Sequence, residues 1–112
     1  MQFPCETLAK DIIPAIRAIM VKELKEKYNK PQKEIAKILG ITETSVSYYI
    51  RGTRGGKAIK IIEESEMYET LIELTDNLAN NNSNHEEVIH KICSICSKVR
   101  PIYIKEVNSD KS

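Results

Sequence analysis

Two groups of residues in this chain have types and spacings that can do chemistry. The first is Cys93 and Cys96, three positions apart, with His90 one turn earlier and Cys5 near the start. Thiolates and imidazole are ligands that zinc takes, and cysteines also hold iron–sulfur clusters. Cys5, His90, Cys93 and Cys96 are therefore a candidate zinc set, and Cys5 with the Cys93/Cys96 pair suits part of an iron–sulfur cluster. Strong zinc signatures carry two C-x-x-C pairs, and this chain has one. Such a pair also suits a reversible disulfide. Buried cysteines, in turn, serve as small apolar residues. Spacing alone leaves all three readings open.

The second group lies in and just after the stretch Pro31 to Arg51, PQKEIAKILGITETSVSYYIR. Gln32, Thr42, Glu43, Thr44, Ser47, Tyr48 and Arg51, followed by Arg54 and Lys57, are polar or cationic. Groups of this kind read base edges by hydrogen bonds and hold phosphates by charge. Two short helices and a tight corner must position them. Pro31 suits a first helical position, where its missing N–H is no loss. Ile35, Ile38 and Leu39 then recur at helical spacing, with Ala36 beside them. Gly40 stands where the chain has to leave the helix in a left-handed conformation. Ile41 packs down and Thr42 caps a second helix. Val46, Tyr49 and Ile50 form its buried side, opposite the polar set. Two helices crossing steeply need a small residue at the crossing, which Ala36 supplies opposite Val46. This is the pattern of a DNA-binding helix-turn-helix.

QKEIAKILGITETSVSYYIRG resembles the helix-turn-helix of Cro/repressor-like (XRE-type) transcription factors. Together with PCE near the start, IPAIR before the motif, RGTRGGK after it and ICSICSKVR near the end, it is similar to a family of small archaeal predicted transcriptional regulators. The resemblance implies a DNA-binding transcriptional regulator, and the lack of a bilayer span, a signal peptide and a disulfide framework points to the cytoplasm. It departs at Glu43, where glutamine is common in such proteins. A glutamate there either accepts from a cytosine amino group or repels the wrong phosphate, so the adenine reading of glutamine does not carry over.

The chain has 112 residues and no tryptophan, which suits one aliphatic core of four or five helices. Its net charge of +1 is unevenly spread. Lys22 to Lys60 holds ten Lys/Arg against four Glu, while the rest of the chain is net acidic. The basic segment coincides with the motif, as a phosphate-binding face requires. Ile61 to His90 holds eight acidic residues and no Lys or Arg, so this part should turn away from DNA. No apolar run is long enough to span a bilayer. The start lacks the basic-then-apolar pattern of a signal peptide. Three cysteines do not make a secreted disulfide framework. No phosphate-binding P-loop, nucleophile–base pair or plausible carboxylate pair points to an enzyme.

The expected fold is all-α: a compact helical bundle with a helix-turn-helix unit and a C-terminal pair of helices. In order, Thr7 to Ile13 reads as one or two turns, with a helix boundary at Pro14. Ala15 to Tyr28 is an amphipathic scaffold helix, its apolar face formed by Ile16, Ile19, Met20 and Leu24. Gly52 to Gly56 is a basic, glycine-rich loop suited to phosphates or a minor groove. Lys57 to Ile62 fits a strand, a wing-like extension or the lead into the next helix. Glu63 to Ala79 reads as one helix, and Asn80 to Asn84 as a loop. His85 to Arg100 is the last helix, stopped by Pro101. Ile102 to Ile104 would be extended, and Asn108 to Ser112 a frayed polar tail. The broad apolar stripe from Val88 to Val99 suggests a homodimer contact. These features divide the chain into a DNA-binding domain (1–60, motif 31–51) and a C-terminal dimerisation or sensor extension (61–112). Two functions fit. One is a dimeric sequence-specific regulator of double-stranded DNA. The other is a protein–protein module that keeps the helix-turn-helix shape.

Overall fold

A computed structural model describes residues 6–51, 56–80 and 85–111, of which 6–11, 85 and 106–111 are described as backbone alone. Six helices follow one another: α1 (Glu6–Glu26), α2 (Gln32–Leu39), α3 (Glu43–Ile50), α4 (Gly56–Glu63), α5 (Met67–Ala79) and α6 (His85–Lys111). No strand occurs among the described residues. The all-α expectation is met. The molecule measures 43 × 28 × 27 Å along its principal axes.

α1 is the axis of the fold and packs against each of the other five helices. Its apolar stripe serves two clusters in turn. Ile12, Ala15, Ile16, Ile19 and Met20 join Ala58 and Ile62 of α4, Leu71, Leu74 and Leu78 of α5, and Ile95, Cys96, Val99 and Tyr103 of α6. One turn further on, Val21 and Leu24 join Ile35 and Ala36 of α2, Val46 of α3 and Ala79 of α5. Ile38 and Leu39 touch both clusters, so the two are joined. The expected apolar face of the scaffold helix is therefore the buried one.

Both inner prolines depart from expectation. Pro14 does not bound a helix: α1 runs through it unbroken from Glu6 to Glu26. Proline inside a helix removes one hydrogen bond and crowds the preceding turn. Ile12, Ala15 and Ile16 are completely buried on either side of it, and that burial outweighs the local cost. Pro101 likewise does not stop α6, which continues to Lys111. Ile95, Val99 and Tyr103 recur every four residues and are all buried, so the core stripe crosses Pro101. Neither an extended piece at Ile102–Ile104 nor an unwound segment from Asn108 to Lys111 occurs.

The other corrections lie around Ser65. Lys57 to Ile62 belongs to α4, with Ala58 and Ile62 one turn apart and buried. The segment from Glu63 to Ala79 is not one helix. α4 ends at Glu63 and α5 begins at Met67. Ser65 makes the break. Its hydroxyl donates to the Ile62 carbonyl at 2.8 Å and accepts from the Met67 N–H at 3.2 Å. One side chain thus satisfies a carbonyl at the end of one helix and an amide at the start of the next.

Candidate nucleic-acid interface

The site is built on α2, the corner at Gly40 and α3. Pro31 is the residue before α2 and not its first helical position. It is extended at φ −71°, ψ 157°, and its carbonyl accepts from the Ile35 N–H at 3.0 Å. At the other end Gly40 takes φ 67°, ψ 34°, the left-handed conformation expected of it. That turn lets the Gly40 N–H reach the Lys37 carbonyl at 3.3 Å and the Ile41 N–H reach the Ala36 carbonyl at 3.0 Å. A side chain at Gly40 would strain the corner. Gly40→Ala should lower stability by about 1 kcal/mol, read as a fall in the denaturant midpoint at unchanged slope. An unaltered midpoint would show that the corner does not depend on this dihedral.

Thr42 caps α3 as expected, its hydroxyl accepting from the Ser45 N–H at 3.0 Å. The same hydroxyl donates to Ser45 Oγ at 3.0 Å, which occupies Ser45 in the cap. Val46 is wholly buried, Ala36 is 6% exposed, and both lie in the cluster under the corner. Tyr49 and Ile50 are half-buried against that cluster. These anchors leave the opposite side of α3 at the surface. Glu43, Thr44, Tyr48 and Arg51 are exposed, and Ser47 is half-buried between them. Tyr48 stands edge-on to Tyr49, with ring centroids 6.3 Å apart at 89°. Such a pair restrains the exposed ring.

Gln32 and Thr42 are exposed at the starts of the two helices, and Lys57 is exposed in the first turn of α4. Arg54 lies outside the described residues. Lys33 and Lys37, exposed one turn apart on α2, add two cations to the expected set. Their four-residue spacing was the signal available.

Two lysines of the basic segment are held by acids. Lys30 Nζ is 3.2 Å from Glu34 Oε1. Lys27 Nζ lies 3.2 Å from Asp76 Oδ2 on α5 and 3.6 Å from Glu23 Oε1. Tyr28 Oη donates to Asp76 Oδ1 at 2.7 Å. Hydrogen bonding to the Asp76 carboxylate raises the pKa of Lys27 above its usual value, and does the same for Tyr28. Both groups keep their protons through neutral pH, so the link between α1 and α5 persists there. It weakens as pH rises through these raised values.

The cysteines lie on the other side of the molecule's sequence, in the middle of α6. Cys96 is buried in the α1, α4, α5 and α6 cluster, Cys93 is half-buried, and His90 is exposed. α6 is continuous through all three. Among the described residues no three His, Cys, Asp or Glu side chains gather closely enough to hold one metal ion. Cys5 lies outside the described residues. Within those residues, no helix is long and apolar enough to cross a membrane.

No curated protein and no solved structure matches the chain. Residues 21–63 match the family model described as helix-turn-helix. The matched stretch runs from the second half of α1 through α2 and α3 to the last residue of α4. It supports the XRE-type likeness of the motif, and it marks this segment as a helix-turn-helix unit of the kind found in DNA-binding regulators.

Proposed function

We propose that this protein is a sequence-specific transcriptional regulator that binds double-stranded DNA as a homodimer, with α3 in the major groove. The observation that carries the reading is the two-sidedness of α3. Val46 locks its back into the core, while Glu43, Thr44, Tyr48 and Arg51 stay exposed within a helix-turn-helix unit. Ser47 and Tyr48, in the middle of α3, contribute sequence preference. Arg51, Arg54 and Lys57, at its end and beyond, contribute affinity through phosphates. Residues 1–60 then serve as the DNA-binding part and 61–112 as the dimerisation or sensor extension. The place of action is the cytoplasm.

Gel shifts test the assignment, using a duplex selected by the protein from a random pool and a scrambled duplex. Arg51→Ala should weaken both alike and reduce the salt slope by about one unit. Ser47→Ala should cost about 1–3 kcal/mol, confined to one base position. An Arg51→Ala variant with altered sequence preference and an intact salt slope would reverse the assignment. Failure to retard any duplex would leave the protein–protein module.

The dimer has its own support. α6 leaves Ile89 at 58%, Ile102 at 43% and Ile104 at 37% exposure. At about 100° per residue Ile89 and Ile104 lie about 60° apart around α6, so one covering surface reaches both, whereas Ile102 faces the other way. A second recognition helix also meets the need for two half-sites about 34 Å apart. Sedimentation equilibrium at micromolar concentration should give a dimer, and Ile89→Glu with Ile104→Glu a folded monomer. A monomeric intact protein would refute this.

A further inference from the structure

A cavity of about 550 Å³ lies where α1, α3, α4 and α5 meet. Ala18 and Ile19 of α1, Tyr49 and Ile50 of α3, Ile59 of α4 and Tyr68 of α5 line it. A volume of this size accommodates a small organic molecule, and six charged residues rim this apolar and aromatic floor. Two tyrosines provide ring faces for stacking as well as phenol hydroxyls. The charged residues in the lining balance: Lys22 and Lys25 of α1 and Lys27 just after it against Glu23 and Glu26 of α1 and Glu63 of α4. Such a rim gives neither a cation nor an anion a net attraction.

The position matters as much as the lining. Tyr49 and Ile50 are the last two residues of α3 and pack against the cluster under the helix-turn-helix. Ile19 belongs to the larger cluster of α1, α4, α5 and α6, and Ile59 and Tyr68 pack against it. A molecule in the cavity touches the end of α3 and both clusters at once. We propose that this cavity binds an uncharged, flat aromatic molecule, and that its occupant braces the end of α3 and so changes how the helix meets DNA. A bound molecule shifts DNA affinity if it favours the arrangement of α3 that meets DNA over others, or the reverse. The contact with Tyr49 and Ile50 supplies that difference.

The second half of this inference rests on the DNA-binding reading, and the two fail separately. N-phenylnaphthylamine, an uncharged aromatic dye that brightens in apolar sites, tests the cavity without DNA. Titration of the intact protein should show one saturable site. Ala18→Phe, which fills the space, and Tyr68→Leu, which removes a ring and a hydroxyl, should each weaken it about tenfold or more. Exposed Glu69→Gln, outside the lining, should leave it unchanged. Helical circular dichroism reports folding of each variant, and either folded variant suffices. Amide exchange in α3 should slow when the dye saturates. Dye binding that is absent, or equal in the wild type and the folded cavity variants, overturns the site. Duplex retention by dye-free protein reads the DNA-binding function alone. Saturating dye should then change duplex affinity by a factor of about five or more. Dye bound in the cavity with unaltered α3 exchange and unaltered duplex affinity overturns the bracing.

Discussion

Leu24→Ala should lower the unfolding free energy by about 2–5 kcal/mol, the range for emptying a well-packed leucine site. Leu24 has no exposed surface and sits in the cluster that joins α1 to Ile35, Ala36, Val46 and Ala79. Four helices, α1, α2, α3 and α5, converge there, which limits how far the site can collapse around the missing atoms. α2 and α3 span eight residues each, too short to persist without packing. The loss should therefore appear first as fraying of the helix-turn-helix. Thermal melting followed by helical circular dichroism should show a midpoint lower by about 10 °C or more. Lys98→Ala, at an exposed position of α6, is the comparison and should change stability by less than about 0.5 kcal/mol. Equal midpoints for the two variants would mean that Leu24 does not hold the unit together.

Ala36→Leu should destabilise the protein by about 1–3 kcal/mol, this time by overfilling. Alanine and leucine are both good helix formers, so α2 itself loses little. The cost comes from the crossing. Ala36 is nearly buried in the same cluster as Val46, and a longer side chain there pushes α3 away from α2. Displacement of α3 moves Ser47, Tyr48 and Arg51 together. Duplex affinity should therefore fall more than the stability change alone requires, by about tenfold or more at temperatures where the variant remains folded. Melting curves and gel shifts on the same preparation separate the two effects. Wild-type duplex affinity in a destabilised variant would place the reading surface elsewhere.

The two variants probe a part of the fold that was legible from local chemistry. The corner between α2 and α3 depends on interactions within a few residues. Gly40 takes a dihedral that other residues resist, and Thr42 caps an amide three positions on. Ala36 and Val46 share one buried cluster because helix geometry sets where each lies. The expected exposed set on α3 followed from the same periodicity, with only Ser47 lying deeper than its neighbours. Family likeness and residue chemistry agreed on this segment because both read the same short-range constraints.

Pro14, Pro101 and Ser65 were decided otherwise. A proline in a sequence signals a helix boundary because the local cost is visible and the compensating burial is not. Ile12 and Ile16 around Pro14, and Val99 and Tyr103 around Pro101, find their partners on other helices. Ser65 broke an expected helix through two hydrogen bonds, although nothing in its spacing set it apart from an ordinary surface serine. The distant pairings were equally out of reach. Asp76 meets Lys27 and Tyr28 across almost fifty residues, and Tyr49 shares a cavity with Tyr68. By itself, then, the sequence determined the helical class, the corner, the cap and the polar face of α3, because backbone dihedrals and helical periodicity act locally. Only the tertiary structure decided how far α1 and α6 extend, where α4 gives way to α5 and which side chains enclose the cavity. Those outcomes depend on burial summed over contacts between distant segments, and that sum outweighs any single local preference.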